Sequence, residues 1–95
     1  MIEIDSVEFA NRQFQYVRMD MFGAPLVLLK GKRGFVMCGY LNIQASDKLG
    51  DVGIRVTGVK SLDDMVKAKV SDVTSKAESL GIKPGSNVSD ILHLL

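Results

Sequence analysis

The sequence predicts an α+β two-layer sandwich: a mixed sheet of five or six strands with the helices packed mainly on one face. Three observations predict it. Two apolar runs, LVLLK (Leu26–Lys30) and GFVMCGYL (Gly34–Leu41), meet across a short loop rich in glycine. A second strand pattern, GIRVTGV, follows a short helix pattern, and the last third carries apolar residues at helical spacing. Ninety-five residues are one domain, 1–95, large enough to fold without disulfides or metal.

The first twenty residues read as extended, because Ile2 and Ile4 alternate with Glu3 and Asp5, and Val17 and Met19 alternate with Arg18 and Asp20. Val7 and Phe9 fall on the other parity, which predicts a bulge at Ser6 or two short strands, with the turn at Ala10–Gln13. Beyond Phe22–Pro25 the two apolar runs form a β-hairpin closed by Gly31–Gly34. Both parities of these strands are apolar, with Phe35, Met37 and Leu41 on one face and Val36, Cys38 and Tyr40 on the other. They must therefore be covered from both sides.

Asn42 or Ser46 can cap a helix of about two turns that Gly50 ends. With GIRVTGV behind it, that helix predicts a parallel strand pair joined by a crossover. The strongest helical pattern spans Ser61–Leu80, where Leu62, Met65, Val66, Val70, Val73, Ala77 and Leu80 share one stripe. Ser61 with Asp64 resembles a capping box, and Gly81 is the stop. Asn87 and Asp90 then open a last helix that buries Val88, Ile91, Leu92 and Leu95.

Composition excludes several classes. Hydrophobic residues at 46% with 24% charged describe a globular chain, and a net charge of +1 gives no long-range field for nucleic acid or anionic membrane. No apolar run reaches the roughly 20 residues that span a bilayer, and MIEID is no secretory leader, so the expectation is a soluble, cytoplasmic protein. The sequon Asn87-Val88-Ser89 is accordingly read as helix-start chemistry. Two helical stripes cover only one face of such a sheet. The doubly apolar central strands then predict a homo-oligomer, unless the short helix and the N-terminal strands close that face within the monomer.

Cys38 is the only cysteine and His93 the only histidine. A catalytic thiol needs a nearby cation, imidazole or helix N-terminus, whereas Cys38 has Met37, Gly39 and an apolar strand for neighbours. The first reading is a buried packing residue, the alternative a functional thiol. His93 is out of phase with the buried stripe of the last helix and reads as solvated. One cysteine and one histidine make zinc a poor expectation, and no metal or cofactor is expected. The two strand-to-helix turns are more informative. If the strands ending at Leu41 and Val59 are parallel neighbours, Tyr40 and Asn42 lie beside Thr57, Gly58 and Lys60 at their carboxyl ends, where open sheets bind ligands. Asn42 and Thr57 can orient a polar ligand, Lys60 can meet an anion, and Gly58 permits close approach; these residues can equally serve the turn alone. Lys30, Lys32 and Arg33 at the hairpin tip read as a solvated turn rather than a nucleic-acid contact, since no aromatic is interleaved with them.

The stretch from Gly34 to about Leu92 resembles the YunC-like family of small bacterial and archaeal proteins, a family defined as a domain of unknown function. The resemblance rests on MCG at Met37–Gly39, GVK at Gly58–Lys60 and LGIKPG at Leu80–Gly85. It implies a compact two-layer α/β domain and no established activity, and it singles out Cys38 and Gly39. The ending KPGSNVSDIL is more polar than the family's usual one. Together these readings predict a homo-oligomeric binding module without catalysis. It presents a shallow polar pocket at the Asn42/Thr57/Lys60 edge to a small polar or anionic ligand or a partner protein. A thiol-dependent enzyme using Cys38 is the alternative.

Overall fold

A computed structural model describes residues 1–95. Six strands form one sheet in sequence order: β1 (Ile2–Phe9), β2 (Arg12–Met19), β3 (Leu26–Lys30), β4 (Gly34–Met37), β5 (Val52–Arg55) and β6 (Asp72–Val73). All neighbours are antiparallel except β4 and β5, whose parallel register sets Gly34 against Val52 and Met37 against Arg55. Helix α1 (Ile43–Lys48) makes the crossover between them. Asn42 caps it, its side-chain oxygen accepting from the Gln44 and Ala45 amides, and Gly50 follows it at φ +80°.

One face of the sheet carries the core. Register lines up Tyr16, Leu29, Val36, Ile54 and Val73 across five strands, all but Val73 buried. With Phe14 and Val27 they pack against Met65, Ala77, Val88, Ile91 and Leu92 from the C-terminal elements α2 (Leu62–Lys67), α3 (Ser75–Ser79), α4 (Val88–Ile91) and a 3₁₀ turn at Leu92–Leu94, and against Leu95 that follows it. Burial desolvates the Tyr16 phenol, and with the nearby charge of Glu3 this pushes its pKa up.

The other face is only partly covered. α1 lies over β4 and β5 there: a Cβ on Gly53 would meet the Phe35 ring and Ser46 Oγ at 2.8 and 3.0 Å. The short helix thus closes the β4–β5 part of this face within the monomer. Across β1–β3, Ile4, Val17 and Leu28 form an open row, with Ile4 76% exposed.

Two expectations are corrected. Of the two readings of the N-terminal region, the bulge is overturned and the pair of strands joined within Ala10–Gln13 forms: β1 pairs with β2 unbroken from Ile2↔Met19 to Phe9↔Arg12 around a turn at Ala10 and Asn11, both at positive φ. The parity switch has another cause. Val7 and Phe9 point to the core side, where Phe9 meets Phe14 edge-on at 6.2 Å, while Ile2 and Ile4 lie on the open face.

The continuous helix Ser61–Leu80 does not form either. α2 ends at Lys67, the chain extends through β6, and Thr74 caps α3. KVSDVT is rich in β-branched and capping residues, and the edge of β5 offers it hydrogen bonds: the Ser71 amide donates to Arg55 O at 2.8 Å. Met65, Val70 and Ala77 still reach the core, each from a separate element or its flank. At the other helix starts, Ser61 Oγ accepts from the Asp64 amide as the capping pattern implies. Asn87 makes no side-chain cap bond, and its amide donates to Asp90 instead.

Candidate functional site

The parallel strands stop earlier than their apolar pattern, at Met37 and Arg55 rather than Leu41 and Val59. The Cys38 amide makes a last ladder bond to Val27 O at 3.2 Å, and its carbonyl then turns away to accept from the Leu41 amide. That turn deprives the Val27 N–H of the carbonyl an antiparallel partner would offer. Cys38 Sγ replaces it, accepting from Val27 N at 3.3 Å. At 3% exposure, Cys38 is a buried brace that satisfies a backbone donor.

Above the sulfur is a cleft of about 260 Å³ that gathers four of the six expected site residues: Cys38, Gly39, Gly58 and Lys60. Ala24, Pro25, Tyr40 and Val59 complete its walls, so the lining is more apolar than the polar pocket expected. Sequence reasoning missed Ala24 and Pro25. They come from the β2–β3 loop, and only the strand pairing brings that loop beside the end of β4. Asn42 is not in the cleft. Its side-chain oxygen is engaged at 2.9 and 3.3 Å in capping α1, and it borders a separate depression with Tyr40, Gln44 and Arg55. Thr57 does not line the cleft either; it is exposed, with its methyl 3.9 Å from where a Cβ on Gly39 would stand. Gly58, at φ +71°, serves the turn and lines the cleft.

Lys60 is held by its main chain. Its amide donates to Asp64 Oδ2 at 3.1 Å, and its carbonyl accepts from Arg18 Nε at 2.8 Å. Arg18 in turn pairs with Asp20 at 2.6 Å, and that hydrogen bond is the main cause holding the Asp20 carboxyl below its ordinary pKa. The Lys60 ammonium itself makes no ion pair. The arrangement places an exposed ammonium that makes no ion pair, carried on a hydrogen-bonded main chain, beside an apolar slot. It can bind an anion carrying a modest apolar body.

His93 is exposed and lies outside the cleft. No group of three or more His, Cys, Asp or Glu is placed to hold a metal ion, and no helix is long and apolar enough to cross a membrane.

A family model described as a domain of unknown function, DUF1805, matches residues 37–95, a segment containing all six expected site residues. The chain is 28% identical over 96 aligned residues to the uncharacterized protein YunC of Bacillus subtilis (strain 168), covering 97% of this chain and 95% of that protein. A crystal structure of a protein of unknown function from Thermoplasma acidophilum matches with a TM-score of 0.97 at 43% identity, covering 100% of this chain and 93% of that one.

Proposed function

From the premise that this chain belongs to the DUF1805 family of domains of unknown function, we propose that it is a binding module without catalysis. Its ligand is a small amphipathic anion, such as a carboxylate with a short apolar body. The observation that carries this reading is Lys60: main chain clamped on both sides, ammonium unpaired, apolar walls of Pro25, Tyr40 and Val59 beside it. An anion there gains a charge-assisted contact with a cation whose backbone is already ordered, which lowers the entropic cost of binding. Cys38 forms the floor, and its engaged sulfur supports a structural role over a nucleophilic one.

Thermal unfolding with and without phenylacetate tests the reading. The wild-type Tm rises with phenylacetate concentration, and Lys60→Gln loses most of the rise. Equal shifts in both proteins, or none, contradict it. Alkylation of Cys38 by iodoacetamide in the folded protein with a midpoint well below the free thiol value of about 8.5 favours the thiol enzyme instead.

The partner proposed for the open face is a second copy of the chain. The Ile4/Val17/Leu28 row, extended by Ile2, Met19 and Leu26, is an apolar strip that a twofold axis can lay on itself. Light scattering then gives a dimer or larger species that Val17→Glu dissociates. A monomeric mass across a wide concentration range disposes of this partner.

A further inference from the structure

The hairpin tip at the opposite end of β4, read from sequence as a solvated turn, gains a fourth cation in the fold. Lys30, Lys32 and Arg33 line a cavity of about 320 Å³ together with Lys76, which arrives from α3 more than forty residues later. The Lys76 ammonium stands beside Gly50, 3.7 Å from where a Cβ there would lie.

None of these four cations makes an ion pair; the four ion pairs of the molecule all lie elsewhere. The one carboxylate lining the cavity, Asp51, accepts a hydrogen bond from Ser46 Oγ instead. Among the lining side chains four cations thus face one carboxylate in a chain whose net charge is only +1, although the Lys30 ammonium already donates to Gly31 O at 3.4 Å and Leu95 O sits at the tip, accepting from the Arg33 and Gly34 amides at 2.7 and 3.1 Å. Like charges gathered in a concavity with protein walls repel, and the field they focus attracts an anion. Only two of the lining residues, Phe35 and Val52, are hydrophobic, so charge rather than an apolar wall distinguishes this cavity.

The geometry points to a second ligand site, distinct from the Lys60 cleft: a polyanion site for a small molecule with two or more phosphate groups. Phosphate suits the cluster because ammonium groups meet it as point charges while the Arg33 fork binds two oxygens at once. The site does not depend on the reading of the Lys60 cleft, since the two share no lining residue.

Calorimetric titration at low salt with inorganic tripolyphosphate, then with a single-stranded thymidine oligonucleotide, tests this. The expected result is saturable 1:1 binding of tripolyphosphate that weakens steeply with salt. Lys76→Gln and Arg33→Gln each reduce affinity about three- to fivefold, while Lys83→Gln, outside the cavity, leaves it unchanged. Circular dichroism establishes that each variant is folded. Unsaturable binding, equal losses in all three variants, or no binding at all overturns the site. An oligonucleotide that outcompetes tripolyphosphate overturns the small-molecule assignment in favour of a nucleic-acid backbone.

Discussion

The parallel pair β4–β5 is braced at both ends by one buried side chain that serves the backbone, yet the two ends present charge in opposite ways. At the carboxyl end Cys38 Sγ accepts from the Val27 amide. At the amino end Thr74, 1% exposed, uses its whole hydroxyl capacity: it donates to Asp51 O at 2.7 Å and accepts from Gly53 N and Ala77 N. Above the first brace stands a single unpaired cation with its backbone clamped. Above the second stand four cations that make no ion pair, beside the single carboxylate of Asp51. The lesson is that backbone order and charge balance are separable: both ends are equally well built, and only the surplus of charge marks what each is suited to bind.

Removing the braces produces the largest expected effects. Thr74→Val leaves buried partners unmet on Asp51 and Gly53 and uncaps α3, and urea unfolding should show a loss of about 2–4 kcal/mol. Cys38→Ala removes both volume and the acceptor for Val27, at a cost of about 1–3 kcal/mol. Cys38→Ser, which keeps an acceptor, recovers part of that loss. If serine is worse than alanine, the sulfur acts only as an apolar filler and the comparison between the two braces fails.

Arg18→Ala sharpens the contrast above the braces, because it frees the Lys60 carbonyl without touching the ammonium. Stability should fall by about 1 kcal/mol, and phenylacetate affinity should fall with it while tripolyphosphate affinity stays constant. The pH dependence is the smallest effect. Asp20 and Asp47 have carboxyl pKa values lowered by Arg18 and by the Ser75 amide respectively, so each stabilises the fold above the ordinary aspartate value of 3.8. That contribution is lost as pH falls through their lowered values. Tyr16, raised above 10.0, acts in the opposite sense: its contribution is complete below that value and is lost as pH rises through the raised pKa. Thermal scans should therefore show stability falling at both extremes, with Arg18→Ala flattening the acid limb.

Much of this architecture is legible in the residues. The glycine-bounded tip between two apolar runs specifies the β3–β4 hairpin. A strand, a capped short helix and a strand specify the parallel pair, because no shorter route joins parallel strands. The helix over 61–80 was misread for a physical reason: spacings of three and four place Met65, Val70 and Ala77 on one helical face, but the same three residues reach one core from a helix, an extended segment and a second helix. Thr74 lies within that expected helix as a mid-helix residue, whereas its hydroxyl bonds the backbone at the start of β5, at Asp51 O and Gly53 N, more than twenty residues away in sequence. Four cleft residues were legible because they flank the two turns. Asn42 and Thr57 flank the same turns, but one caps α1 and the other stands exposed beside Gly39, outside the cleft. Lys76 joins the tip only through tertiary packing, so no local pattern announces the four-cation cavity.

The most direct test of the account is a single amide ¹⁵N–¹H titration of the folded protein, first with phenylacetate and then, in the same sample, with tripolyphosphate. The account predicts two separate sets of saturating shifts, the first centred on Gly39, Gly58 and Lys60 and the second on Gly31–Gly34, Gly50 and Lys76, with neither ligand displacing the other. Shifts that move a single shared set, or that spread without saturation over exposed lysines such as Lys48 and Lys83, would contradict the claim that the two ends of the parallel pair are distinct anion sites.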